Sequence, residues 1–89
     1  MDDSEVSAVM RNGDLSIGAR LLWWELCQWV TGDLNVCFPT QYALADNLGV
    51  SRQSVIRWLQ ELREIGFVEI ESTVGGNRYI LRNGESLAA

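Results

Sequence analysis

The chain reads as a mainly α domain with a small β-sheet: a three-helix core followed by a β-hairpin. Three observations predict it. Apolar residues recur at helical spacing in three segments, and each segment is preceded by a hydroxyl residue able to cap a helix, Ser16, Thr40 and Ser51. Two of the segments end at a lone glycine, Gly49 and Gly66, and the first ends at Thr31-Gly32-Asp33. Finally, β-prone runs stand outside these segments: Val36-Cys37-Phe38, then FVEIES and RYILR on either side of Gly75-Gly76.

The first helix is expected over about residues 17–31, with Leu22, Leu26, Trp29 and Val30 on its core face and Leu21 beside them. Trp23 and Trp24 are neighbours and point about 100° apart on a helix, so one of them should face out. Pro39 stops the short strand at 36–38. A second helix is expected over 41–48, with Tyr42, Leu44, Ala45 and Leu48 as its apolar set. A third is expected over 52–65, with Val55, Leu59 and Leu62 inside and Ile56 and Trp58 beside them. A hairpin turning at TVGGN completes the order, which is that of a winged helix. The domain therefore spans 15–82, between an acidic arm at 1–14 and a tail at 83–89. Val6, Val9 and Met10 are candidates for packing part of the arm onto the body.

Composition narrows the function. With 89 residues and 47% apolar content, the chain is long and apolar enough for one globular domain. It has no apolar run that could cross a bilayer, and MDDSEVSAVMRNGD lacks the basic start and apolar centre of a signal peptide. A cytoplasmic protein is expected, with Cys27 and Cys37 as free thiols. There is no His, two Cys cannot complete a metal site, and no carboxylate pair or activated nucleophile is evident. The reading is therefore no enzyme, no cofactor and no metal.

The segment from Gln41 to Gln60 meets the needs of a helix-turn-helix. Ala45 is small where the two helices touch, Gly49 supplies a left-handed turn, and Ser51 caps the second helix. Leu44, Leu48, Val50, Val55 and Leu59 lock that helix to the core, leaving Arg52, Gln53, Ser54, Arg57 and Gln60 facing outward. Arg and Gln can each make two hydrogen bonds to a guanine or adenine edge.

On these residues the chain resembles the winged helix-turn-helix domain of phage and plasmid replication initiators and small transcriptional regulators. The resemblance runs over about residues 15–82. It is carried by Pro39-Thr40, Leu44-Ala45, Gly49-Val50-Ser51, Ser54-Val55 and Arg57, then by Leu59, Leu62, Gly66, Phe67 and Val68. It implies double-stranded DNA as partner, with Thr40, Ser51, Arg52, Gln53, Ser54 and Arg57 at the duplex. It further implies a wing whose Asn77 and Arg78 reach the backbone or minor groove.

A net charge of −5 does not oppose this. Residues 41–63 carry Arg52, Arg57 and Arg63 against Asp46 and Glu61, whereas the arm alone holds four carboxylates. Few cationic contacts per protomer favour a homodimer or cooperative oligomer on DNA. The competing reading for Arg57 is a surface ion pair with Glu61, four residues on. The competing reading for the whole domain is a protein-interaction module that does not bind DNA. It would use the Trp-rich first helix or the acidic arm.

Overall fold

The computed structural model describes residue 9 and residues 11–30 and 35–82. Its elements follow the expected order. Helix α1 spans Ile17–Trp29, strand β1 Val36–Cys37, helix α2 Gln41–Leu48, helix α3 Arg52–Ile65, strand β2 Val68–Thr73 and strand β3 Gly76–Leu81. The chain is thus three helices and a three-stranded antiparallel sheet, the architecture of a winged helix.

Each helix begins where a hydroxyl replaces a missing carbonyl. Ser16, Thr40 and Ser51 have extended backbones, and their side chains accept from the N–H of Ala19, Ala43 and Ser54. Helices α2 and α3 end in left-handed glycines, Gly49 at φ 67° and Gly66 at φ 97°. The next residue closes each end: Val50 N–H donates to Ala45 at 3.0 Å, and Phe67 N–H donates to Leu62 at 2.9 Å. Helix α1 differs. It stops at Trp29 with Val30 extended, and the expected stop at 31–33 lies outside the described residues.

The sheet order is β1-β3-β2, so the last strand of the chain is the central one. Strand β3 pairs with β2 from Val68↔Leu81 to Thr73↔Gly76, leaving a two-residue turn at Val74-Gly75, tighter than expected from TVGGN. On its other edge, β3 pairs Ile80 and Tyr79 with Val36 and Cys37. The Thr73 hydroxyl donates to the Gly76 carbonyl at 2.6 Å and clamps the turn.

The core joins Ala19, Leu22, Trp23 and Leu26 of α1 to Leu44 and Ala45 of α2, and to Val55, Leu59 and Leu62 of α3. Phe67, Val68, Tyr79, Leu81 and Cys37 close it from the sheet side. Val9 and Leu15 are also buried, and the Asn12 carbonyl accepts from Arg20 Nη2 at 2.7 Å, so the end of the arm packs on the body.

Several side chains differ from the expected core. Leu21 and Trp29 are exposed by 48% and 36%, and Tyr42 by 68%, while Trp23 and Ala19 are buried. Helix α1 is apolar almost all round, so periodicity cannot choose which stripe faces inward. Contact with α3 chooses it. The Trp58 ring lies against Gly18, where any Cβ would overlap the indole, and this turns Ala19, Leu22, Trp23 and Leu26 to the core. Trp24 faces out as Trp23 faces in, and the Trp23 indole N–H donates to the Phe67 carbonyl at 3.4 Å.

Candidate nucleic-acid interface

The outward face of α3 is built by the burial of its opposite side. With Val55, Leu59 and Leu62 in the core, Arg52, Gln53, Ile56, Arg57, Gln60, Arg63 and Glu64 are exposed. These positions recur every three or four residues, so they form one continuous strip along the helix. Gln60 was expected there. Ile56, expected beside the core, is 39% exposed in the middle of the strip. Its spacing of four from both Arg52 and Gln60 is the signal that could have found it. An apolar side chain there can meet a thymine methyl.

Arg52 stands at the start of the strip and is held by α2. Its Nε donates to Gln41 Oε1 at 3.0 Å, and its guanidinium lies 4.8 Å from the centre of the Tyr42 ring. Two contacts from another helix restrict an otherwise flexible side chain. Arg57 makes no hydrogen bond or ion pair among the described residues, and the pair with Glu61 of the competing reading is not formed. The Glu61 carboxylate instead accepts from Ser16 N at 2.6 Å and from Ser16 Oγ at 2.8 Å. An anion at the first turn of α1 interacts favourably with the helix dipole. It also leaves the Arg57 charge without a carboxylate beside it.

The remaining candidates have local partners. Thr40 and Ser51 use their oxygens as caps, and Ser51 Oγ donates to Ser54 Oγ at 3.1 Å. Ser54 is half-buried at the edge of the strip. Gln53 is exposed on the strip. On the hairpin, Asn77 Nδ2 donates to the Tyr79 hydroxyl at 3.3 Å. Arg78 sits directly opposite Glu71 across the strands, with Nη2 2.6 Å from the carboxylate, and Arg82 lies 3.0 Å from Glu69. The hairpin arginines therefore carry their own counter-charges, and among the described residues the α3 arginines pair with none.

The hairpin tip and the starts of α2 and α3 enclose an open cleft of about 390 Å³, lined by Phe38, Thr40, Gln41, Tyr42, Arg52 and Asn77. The structure thus brings Thr40, Arg52 and Asn77 to one cleft, sets Gln53 and Arg57 on the adjoining strip, and leaves Arg78 beside Glu71. Elsewhere, burial raises the Cys27 thiol from 9.0 to about 12 and the Cys37 thiol from 9.0 to about 11. Neither is an activated nucleophile. No helix among the described residues is long and apolar enough to cross a membrane.

A family model described as a helix-turn-helix domain matches residues 13–68, from the approach to α1 to the first residue of β2. No curated protein and no solved structure matches the chain.

Proposed function

The chain belongs to the helix-turn-helix domain family, and from that premise we propose that it binds double-stranded DNA sequence-specifically, with α3 in the major groove. One observation carries the reading. The outward strip of α3 presents Arg52, Gln53, Arg57 and Gln60, and the only acid one turn from Arg57, Glu61, is turned away to Ser16. Arg57 and Gln53 read base edges. Arg52, oriented by Gln41 and Tyr42, meets the duplex where the strip joins the cleft. Thr40, Ser51 and Ser54 hold the helix starts against the backbone, and Asn77 and Arg78 approach it from the wing. Two protomers act together on one site. The role is that of a small regulator or replication-linked factor of phage or plasmid kind, working in the bacterial cytoplasm or nucleoid.

The test is site selection on random duplexes followed by titration of the selected site. Arg57→Ala should weaken cognate binding by about 1–3 kcal/mol and relax the preference at one base position. Equal affinity of variant and parent for the selected site would overturn the assignment of Arg57. A parent that fails to shift any duplex at low salt would instead favour the protein-interaction reading, which the exposed Trp24 supports.

A further inference from the structure

Helix α1 has a second apolar stripe, opposite the one that enters the core. Ile17, Leu21 and Trp24 are 74%, 48% and 47% exposed, and exposed Gln28 continues the row. The spacings of four, three and four are those of the seam in a two-stranded coiled coil. The row itself bears no charge. Arg20 flanks it on one side and Glu25 on the other, and neither pairs with an opposite charge among the described residues. Arg20 donates from Nη2 to the Asn12 carbonyl, and its Nε is buried without a partner. Glu25 accepts with Oε2 from Trp29 Nε1 and Asn47 Nδ2, both at 2.9 Å.

We propose that this stripe is the contact surface for a second copy of the chain, with the two α1 helices packed side by side and parallel. In heptad terms Ile17 and Trp24 are d positions, and Leu21 and Gln28 are a positions. Arg20 then falls at g and Glu25 at e. In a parallel pair each g residue faces the residue five places further along the other helix. Arg20 of each protomer therefore meets the partner's Glu25, twice by symmetry. In an antiparallel pair g faces g and e faces e, which would set arginine against arginine and glutamate against glutamate. The charge pattern thus selects both the occupant and its direction. Gln28 at an a position meets its own copy and can hydrogen-bond it, a polar contact that sets register. Exposed Trp and Leu on an uncharged strip supply the apolar area, and aromatic residues are enriched at such contacts.

This surface deepens the two-protomer reading above and rests on it. DNA is left out of the experiment, so the DNA reading and the surface can fail separately. Sedimentation equilibrium of the full chain over a range of concentrations should show a monomer–dimer equilibrium. Leu21→Glu, at an exposed site, should weaken the dimer by about tenfold or more while the helical circular dichroism is unchanged. Glu25→Gln keeps an acceptor for Trp29 and Asn47 and removes the charge. It should weaken a parallel dimer by roughly two- to fivefold and would strengthen an antiparallel one. Under mild oxidation Gln28→Cys should link to its own copy, whereas the parent should not. A parent that remains monomeric at every concentration overturns the proposal. Leu21→Glu dimerising as the parent does would also overturn it. Tighter association of Glu25→Gln, or linkage only between mixed Ile17→Cys and Gln28→Cys chains, would overturn the parallel arrangement.

Discussion

Glu61 sits one turn beyond Arg57 on α3, and its carboxylate reaches across to the start of α1. Both of its oxygens accept from Ser16, from the backbone N–H and from the hydroxyl. The hydroxyl oxygen also accepts from Ala19 N at 3.2 Å, so Ser16 and Glu61 form one cap shared between two helices. Glu61→Ala should lower unfolding free energy by about 1–2 kcal/mol, measured in urea, because two hydrogen bonds and a favourable charge at the helix start are lost. DNA affinity at saturating folded protein should be nearly unchanged. A large loss of DNA affinity without a loss of stability would mean that Glu61 acts on Arg57 after all. The spacing of four between Arg57 and Glu61 could not show this division. In sequence the two look like partners, and only the position of Ser16 beside α3 gives Glu61 a competitor for its charge. Gly49, by contrast, was readable from its neighbours. A glycine followed by Val-Ser after an apolar helical set has few uses other than a left-handed stop.

The hairpin shows the same competition at the scale of an element. Glu71 and Arg78 stand directly opposite in the β2–β3 ladder, and their side chains pair at 2.6 Å. Arg78 is therefore partly neutralised near the hairpin tip. Glu71→Gln should release that charge, raise affinity for random duplex at low salt and steepen the salt dependence by about 0.9 in log–log slope. An unchanged slope would show that Arg78 makes no phosphate contact even when free. An exposed pair of this kind contributes little to folding, so the variant should remain folded. Strand positions were legible from FVEIES and RYILR, but the register that sets Arg78 against Glu71 depended on the turn being two residues long. Helix α1 illustrates the converse problem. Both of its stripes are apolar, and the choice between them was made by Gly18 accepting the Trp58 ring. That contact lies between residues 40 apart in the chain and leaves no local trace.

At the scale of the whole molecule, the acidic surplus is partitioned. Glu69 and Glu71 pair within the sheet and Glu61 is bound at the start of α1. The three arginines of α3 are exposed, against one exposed acid on the same helix, Glu64. A net charge of −5 thus coexists with a cationic strip, and the remaining acid disfavours indiscriminate binding to polyanions. The folded body also holds two thiols that resist ionisation, at about 12 for Cys27 and about 11 for Cys37. Their folded values lie above the ordinary 9.0, so the unfolded chain loses these protons first as pH rises. Their contribution to stability is complete below pH 9 and should fall between about 9 and 12. Urea melts over that range should show a declining unfolding free energy, and Cys27→Ala should lessen the decline. A flat profile would mean that the folded thiols ionise as readily as free ones.

Taken by itself, the sequence determined the elements and their order, because caps, glycine stops and apolar periodicity are local and each acts within a few residues. It also determined which face of α3 turns outward, since that helix has one apolar side and one polar side. Only the tertiary structure decided which side chains are available at that face. Whether Arg57 or Arg78 is left without a carboxylate depends on which groups the fold brings within hydrogen-bonding distance, and a pair such as Ser16 with Glu61 exists only after three helices have closed on one core.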